Sequence, residues 1–236
     1  MTEPSLLIAR DAGVLTLTLN RPAKLNAIDN DLAGRLLDAL QASADDATVR
    51  VVRLRGSGRA FCAGRDVGAP PTERDLALVQ GVASAIVRHP RPVVAAVHGW
   101  TVGAGLEWML DTDLAIAADD TRFKLPEAAL GVFVTGGLVA TFPAAAGLRR
   151  AKAAMLLGEV FDAAQAEAWG LVQRTVAAAE LEAASLAACR QIAALDPAVV
   201  ASFKRVLNDI GLDRFDRAIE EESRITRALA PGNRSD

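Results

Sequence analysis

The chain contains no tyrosine, and only two histidines and two cysteines occur in its 236 residues. Cys62 and Cys189 lie far apart in the sequence and form no CxxC or other metal-ligand spacing. Such scarcity of cysteine fits a reducing compartment, although one disulfide between the two stays open at this level. The composition therefore predicts no metal site.

The chain also lacks a strong charge of either sign and any long apolar segment. A formal net charge of −3 gives no basic field for nucleic acid, although a few Lys and Arg side chains could meet the phosphates of one small ligand. The apolar run 6–8 stops at Arg10, so no signal peptide is predicted. The longest apolar stretch, 92–104, is too short to cross a bilayer. We therefore expect a soluble, cytoplasmic protein with no nucleic-acid or membrane partner.

Hydrophobic residues make up 51% of the chain, which is enough for a large core. Residues 14–19 alternate apolar residues with Thr, as in a half-buried strand, and residues 92–97 are wholly apolar, as in a strand buried on both faces. Further predicted elements are a strand at 49–54, a helix capped by Asp29 or Asn30, and a helix over 73–87. From about residue 144 the pattern is helical, with a break at Pro197. Strands in the first half and helices in the last third predict an α/β body with a helical C-terminal region.

Two glycine-containing segments could each present free backbone N–H groups. Residues 58–66 follow a strand, and Gly64 lies where the backbone must turn sharply, so that the following amides can point into a concavity. Taken alone, a tight turn is the better interpretation. Residues 99–107 lead from a buried strand through a glycine-rich loop into a helix whose first N–H groups are free. The spacing fits neither a dinucleotide fingerprint nor a phosphate loop, so close helix–strand packing competes with an anion or carbonyl site.

Two glutamates occur in apolar surroundings. Glu107 lies in the first turn of an otherwise apolar helix, and Glu127 follows Pro126 and precedes an apolar run. Burial raises a carboxyl pKa toward neutrality, which suits general acid–base chemistry. For either residue alone, interaction with a helix N-terminus is the simpler explanation.

Other polar residues receive structural interpretations. We expect His98 to be a satisfied structural histidine and His89, between Arg88 and Pro90, to lie at the surface. Asp111 and Asp113 flank a helix end, where a buried Asp usually organises backbone amides.

Together these segments resemble the crotonase superfamily (enoyl-CoA hydratase/isomerase) from about Leu15 to Leu207. Four stretches carry the resemblance in order: Asn20-Arg21-Pro22 with Asn26-Ala27; Phe61-Cys62-Ala63-Gly64-Arg65-Asp66; Ala96-Val97-His98-Gly99 through Gly103-Ala104-Gly105-Leu106-Glu107; and Leu125-Pro126-Glu127 with Leu130-Gly131. No single stretch is decisive, whereas their order and spacing together are specific.

The resemblance implies a crotonase-like spiral of ββα turns over residues 1–194 and a C-terminal helical region, 195–236, for contacts within a homotrimer or a dimer of trimers. It implies an acyl-CoA substrate, no separate cofactor and no metal. An oxyanion hole would consist of the N–H groups of Arg65 and Ala104. Candidate CoA- and substrate-binding residues are Ala23, Lys24, Leu25, Ala63, Asp66 and Val67.

The hydratase branch of that family uses two glutamates. By similarity, Glu107 would orient and deprotonate a water for attack at C3, and Glu127 would exchange the proton at C2. This chain departs from the common pattern at Ala104, where a glycine is usual, and at residues 134–137, which read Val-Thr-Gly-Gly. Its end at Asp236 comes without the familiar terminal segment that carries a basic residue and a closing Phe.

Three functions therefore stay open at this level. The first is a 2-enoyl-CoA hydratase, for which both glutamates are needed. The second is an enoyl-CoA isomerase or another enolate-forming lyase or hydrolase, in which one base can suffice. The third is a non-catalytic acyl-CoA-binding protein. Fold resemblance alone does not separate them.

Overall fold

The computed structural model describes residues 3–66, 68 and 72–230. Ten strands and ten helices occur in these ranges, together with two short 3₁₀ turns at Pro22–Lys24 and Ala178–Glu180. The strands are β1 (Leu6–Asp11), β2 (Val14–Leu19), β3 (Val51–Gly56), β4 (Ala60–Cys62), β5 (Val93–Val97), β6 (Trp100–Val102), β7 (Leu114–Ala118), β8 (Arg122–Lys124), β9 (Phe161–Asp162) and β10 (Arg174–Val176). The helices are α1 (Asn30–Ala44), α2 (Glu73–Arg88), α3 (Ala104–Leu110), α4 (Glu127–Leu130), α5 (Leu138–Ala146), α6 (Leu148–Leu157), α7 (Ala163–Ala168), α8 (Leu181–Ala193), α9 (Pro197–Gly211) and α10 (Phe215–Ala228).

The strands form two sheets, of order β1-β2-β3-β5-β7-β10 and β4-β6-β8-β9. In the larger sheet only β1 and β2 pair antiparallel, and in the smaller sheet only β8 and β9 do. Three consecutive strand pairs follow one pattern: β3–β4, β5–β6 and β7–β8. In each pair the first strand lies in the larger sheet and the second in the smaller sheet, and a helix follows. This repetition is the spiral of ββα turns that the family resemblance implies.

The predicted elements agree closely with the structure where the sequence pattern is long. The strand at 14–19 and the helix near 73–87 are confirmed, and Asp29 caps α1 by accepting a hydrogen bond from the N–H of Leu32. The strand predicted at 49–54 begins and ends two residues later. Pro197 is the first residue of α9, as expected for a residue that lacks the N–H donor.

Apolar side chains cover the larger sheet on both faces. The main core lies between this sheet and α1, α2 and α3, while α8 covers the opposite face through two smaller clusters. All five residues of β5 are buried, as predicted.

Cys62 and Cys189 are buried, free thiols, which answers the question of a disulfide between them. The boundary predicted at residues 194/195 falls between α8 and α9, and the division into two functional regions stays a prediction.

No single helix in the described part of the chain is long and apolar enough to span a membrane. The segments Ala178–Ala193 and Pro197–Gly211 meet the length and composition criteria only when joined across a bend of 107°.

Candidate active site

The loop after β4 leaves one backbone donor free. Gly64 has a φ of +86°, which a residue with a side chain rarely adopts. Ile28 makes both hydrogen bonds of the bridge to this loop, donating to the Gly64 carbonyl at 2.8 Å and accepting from the N–H of Asp66 at 2.8 Å. Arg65 lies between the two residues of the loop that make these bonds. In a parallel bridge, the N–H of such a middle residue points away from the partner strand. Accordingly, no acceptor in the described ranges contacts the N–H of Arg65.

The loop after β6 leaves a second donor free. Gly103, with a φ of +51°, ends the loop, and Ala104 begins α3. As the first residue of a helix, Ala104 has no intrahelical acceptor for its N–H. The Gly103 carbonyl instead accepts from the N–H of Glu107 at 3.0 Å. Within the described residues, the N–H of Ala104 has no acceptor.

These two loops lie against each other. A Cβ placed on Gly64 would lie 2.9 Å from the Val102 carbonyl oxygen and 3.8 Å from the Ala104 nitrogen. A Cβ on Gly105 would lie 2.6 Å from the Cβ of Cys62, so α3 packs on the end of β4 without room for a methyl group. Such an approach of two backbones requires glycine, and it brings the two loops that carry the free amides together.

Glu107 lies in the first turn of α3 and is 1% exposed. Its Oε2 accepts hydrogen bonds from the N–H of Thr135 at 3.0 Å and from the N–H of Gly136. Burial raises the pKa of Glu107 to about 7, although these amide hydrogen bonds act in the opposite direction. No donor among the described residues bonds to Oε1, so one carboxylate oxygen is available to a small ligand.

Glu127 approaches the second loop from α4. A Cβ on Gly103 would lie 2.6 Å from its Oε1, and its Oε2 is buried without a hydrogen-bond partner among the described residues. Burial, and secondarily the charge of Glu107, raise the pKa of Glu127 to about 8. Both pKa values therefore lie near neutrality, where a carboxyl group can take up or release a proton, as general acid–base chemistry requires.

Glu222 of α10 is a buried carboxyl group that the sequence analysis missed. Its Oε2 accepts from the N–H of Gly137 at 2.6 Å, and its Oε1 accepts from the N–H of Val139 at 3.0 Å, at the start of α5. Burial and the charge of Glu107 raise the pKa of Glu222 to about 8. Glu107 and Glu222 therefore hold the turn at 134–139 between them. In the sequence, Glu222 resembles the solvated residues around it, and only its helical phase with the buried Phe215 and Ala218 distinguishes it.

The other site candidates fall into a group beside the first loop. Ala23 and Lys24 lie exposed in a 3₁₀ turn, and the carbonyl of Leu25 accepts from the N–H of Ala63 at 3.0 Å. The ammonium of Lys24 has no ion pair within the described ranges. This turn and Ala63 are therefore neighbours in the structure.

Asp66 is engaged within the protein, because its carboxylate accepts from Arg21 at 3.0 Å and from the N–H of Gly68 at 3.2 Å. Hydrogen bonding to Arg21 holds the pKa of Asp66 below its usual value. Val67 lies outside the described residues. The guanidinium of Arg65 forms an ion pair with Asp75 of α2 at 3.3 Å.

Two structural interpretations of the sequence are wrong. His89 is buried rather than exposed, because its ring bonds to Ser43 of α1 at 3.0 Å and to the backbone of Arg91. Asp111 organises no backbone amide, since neither of its carboxyl oxygens has a hydrogen-bond partner among the described residues. Asp113 does so as predicted, accepting from the N–H of Val93 at 2.7 Å.

The histidines and acids of the described residues do not assemble into a cation site. His98 bonds to the Gly58 carbonyl at 2.9 Å, in line with a structural role. In the described part of the chain, no group of three or more His, Cys, Asp or Glu side chains could hold a metal ion.

Substitution Glu222→Gln should destabilise the fold by about 1–2 kcal/mol. A glutamine keeps one carbonyl acceptor but presents its NH₂ group to the second backbone donor, so one bond at the start of α5 is lost. Urea denaturation near pH 7 measures the change. Glu220→Gln is the matched control, because Glu220 is exposed on the same helix and should have little effect. Equal stabilities for the two variants would contradict the assigned role.

The buried acids also predict how stability depends on pH. In the folded state the pKa values of Glu107, Glu127 and Glu222 are about 7, 8 and 8, whereas an unfolded glutamate titrates near about 4.3. Between these values the unfolded chain binds fewer protons than the folded chain, so the free energy of unfolding falls as pH rises. We expect a lower urea midpoint at about pH 8 than at about pH 5, and a smaller difference in Glu222→Gln. A midpoint that rises over this range would contradict the assignment.

Known proteins resemble this chain over most of its length. A family model described as enoyl-CoA hydratase/isomerase matches residues 9–230. The chain is 32% identical over 222 residues to the 1,2-epoxyphenylacetyl-CoA isomerase of Escherichia coli (strain K12), covering 90% of this chain and 85% of that protein. It is 36% identical over 172 residues to the 2,3-dehydroadipyl-CoA hydratase of the same organism, covering 71% of this chain and 67% of that protein.

Solved structures show the same relationship. An enoyl-CoA hydratase from Mycobacterium avium subsp. paratuberculosis K-10 superposes with a TM-score of 0.93 at 31% identity, and the match covers 97% of this chain and 95% of that one. The crotonase-like fold predicted from the sequence is therefore confirmed. The chain belongs to the enoyl-CoA hydratase/isomerase family.

Proposed function

We propose that the protein is a 2-enoyl-CoA hydratase. The observation that carries this proposal is geometric. Two backbone amides without an acceptor among the described residues, on the loops of Arg65 and Ala104, meet two buried carboxyl groups with raised pKa values, Glu107 and Glu127. The substrate is an acyl-CoA thioester with a double bond between C2 and C3.

In the proposed reaction, the thioester oxygen accepts hydrogen bonds from the N–H groups of Arg65 and Ala104. Glu107 takes a proton from a water molecule, and the water oxygen forms a bond to C3. The electron pair of the double bond moves onto the thioester oxygen as an enolate. Each oriented donor contributes roughly 3 kcal/mol to stabilising this charge. Glu127 then gives a proton to C2, and the enolate collapses to the 3-hydroxyacyl thioester. Addition of water needs neither a redox cofactor nor a metal, and coenzyme A is part of the substrate.

Coenzyme A would lie along the first loop. We propose that Ala23, Lys24 and Leu25 with Ala63 border its adenine, and that the exposed Lys24 ammonium meets a phosphate. Asp66 would contribute to coenzyme A binding indirectly, because its ion pair with Arg21 fixes the loop that borders the ligand. Val67 completes the proposed contacts.

The test is the loss of enoyl absorbance from crotonyl-CoA, followed by mass spectrometry on a panel of longer, branched and aromatic 2-enoyl-CoA thioesters. Product heavier than substrate by one water supports the proposal. No turnover of any panel member would overturn it, and binding without turnover would favour a non-catalytic acyl-CoA-binding protein.

The protonation states predict a bell-shaped dependence of kcat/KM on pH. Activity needs Glu107 ionised and Glu127 protonated, and their pKa values are about 7 and about 8. The rate should therefore fall below the first value and above the second, with a narrow maximum between them. A rate that keeps rising well above pH 8 would show that Glu127 does not act as the acid.

An isomerase is the second candidate, and one observation favours it. Oε2 of Glu107 accepts hydrogen bonds from the N–H groups of Thr135 and Gly136, so Glu107 has a role in fixing this turn that does not require it to activate water. In that case Glu127 alone would move a proton between two carbons. Incubation with a 3-enoyl-CoA distinguishes the reactions, since an isomerase forms a product of unchanged mass.

We further propose a homotrimer or a dimer of trimers, as the resemblance implies. Phe203, Leu207 and Ile210 share one face of α9 and are 65%, 66% and 74% exposed in the single chain. A row of large apolar side chains in water is typical of an oligomer contact. Sedimentation at several protein concentrations tests the assembly, and a monomer throughout would contradict it.

A further inference from the structure

Asp111 is a buried acid for which the proposed reaction gives no role. It follows α3 directly and is 4% exposed. Neither of its carboxyl oxygens has a hydrogen-bond partner among the described residues. Its backbone N–H donates to the Glu107 carbonyl at 3.0 Å, so Asp111 stands one helical turn beyond Glu107. Side chains at this spacing lie on the same face of a helix.

The neighbouring acids differ from Asp111 in their hydrogen bonds. Glu107 and Glu222 each accept two backbone N–H groups, which stabilise their ionised forms. Asp111 receives no such donor, and burial together with the charges of Glu107 and Glu222 raises the pKa of Asp111 well above its usual value.

This group of acids has no cationic partner in the part of the chain that the structure describes. Among the described residues, no Arg or Lys forms an ion pair with Glu107, Asp111 or Glu222. On α2, Asp75 is paired with Arg65, and α5 carries no titratable side chain.

Two cations on neighbouring elements, Lys204 and Arg88, have acidic partners of their own. Lys204 bonds to Asp113 at 2.8 Å, two residues beyond Asp111. Arg88 at the end of α2 is paired with Asp216. Glu127 on α4 adds a further acid beside Glu107. Two neighbouring buried carboxylates without a cation would repel each other strongly, so the burial is tolerable only if protons remain bound.

We propose that Asp111 is a positioning residue that keeps its proton while Glu107 is ionised. Only one of the two carboxyl groups, that of Glu107 or that of Asp111, is then charged at a time. Glu107 can then act as a base near neutral pH because its neighbour on the same helix face stays neutral. The effect on catalysis rests on the hydratase function proposed above, whereas the exclusive ionisation of the two side chains does not.

The direct test is a carbon-13 NMR titration of the full-length protein with labelled aspartate carboxyl carbons. The Asp111 signal, assigned from its absence in Asp111→Asn, should titrate far above the surface aspartates. In Glu107→Gln it should titrate at lower pH, because the charge that retains the proton is gone. Asp113, whose partner is Lys204, is an internal control that should not move, and Glu220→Gln should leave both unchanged. Titration of Asp111 with the surface aspartates, or no response to Glu107→Gln, would overturn the proposal.

The pH dependence of turnover gives a second, independent measurement. Asparagine is nearly isosteric with a protonated aspartic acid, so Asp111→Asn should keep the acidic limb of kcat/KM where it is in the wild type. A shift of that limb to lower pH would show that an ionised Asp111 raises the pKa of Glu107, and would overturn the proposal. If Asp111→Asn does not fold, the displaced signal in Glu107→Gln still identifies Asp111. The two proposals can fail separately. If no enoyl-CoA is turned over but the titration of Asp111 still responds to Glu107→Gln, only the hydratase function is contradicted.

Discussion

Substitution of Glu127 by Gln is expected to lower kcat for hydration of a 2-enoyl-CoA by roughly 100- to 10,000-fold. Glutamine has the same shape but cannot donate an acidic proton to C2. Its effect on folding should be small or favourable, because the wild-type Oε2 is buried without a partner in the described part of the chain. Glu107→Gln should lower kcat by a similar factor, since an amide cannot take a proton from water.

Comparison of these two variants separates the candidate reactions. A hydratase should lose activity in both, whereas an isomerase should lose it in Glu127→Gln and retain it in Glu107→Gln. Glu159→Gln, at an exposed position, is the control for loss of a carboxylate anywhere on the protein. Steady-state assays with a 2-enoyl-CoA and a 3-enoyl-CoA complete the experiment. Full hydratase activity in Glu127→Gln would show that Glu127 is not the acid that protonates C2.

The parts of the site that the sequence could predict depend on short stretches of chain. Gly64 and the glycines around Ala104 indicate the two loops. A backbone that turns sharply or approaches another backbone closely requires glycine, because a side chain would not fit there. Glu107 and Glu127 stand out because a charge in an apolar run requires an explanation. Long strands and helices were also predictable, since they repeat their apolar residues over several turns or alternations.

The remaining features depend on contacts between distant parts of the chain. Glu222 comes from α10 and meets the start of α5, a contact that no local pattern describes. His89 follows a helix beside a proline, as a surface residue would, yet α1 covers it and supplies Ser43 as a partner.

Two strands of the smaller sheet were hard to predict for a different reason. Strands β4 and β6 have three residues each, which is too few for an alternation to be recognised. Their pairing nevertheless brings the two amide-bearing loops together, so the arrangement of the site follows from tertiary structure.

Substitution Gly64→Ala tests that arrangement directly and should lower kcat/KM by roughly 100- to 1,000-fold. The new Cβ would lie 2.9 Å from the Val102 carbonyl oxygen, and a φ of +86° disfavours any side chain. Because the obstructing atom belongs to the backbone, one of the two loops must move. The N–H of Arg65, which follows Gly64 in the chain, would then leave its alignment with that of Ala104.

Gly34→Ala is the matched control for this change. Gly34 lies within α1, a Cβ there would meet no atom within 4 Å, and alanine should stabilise the helix by up to about 1 kcal/mol without altering turnover. Since the oxyanion forms only as the reaction proceeds, Gly64→Ala should lower kcat more than it weakens binding of the acyl-CoA product measured by calorimetry. A folded Gly64→Ala protein with wild-type kcat would show that the two amides do not stabilise the transition state, because their alignment cannot survive a methyl group at this position.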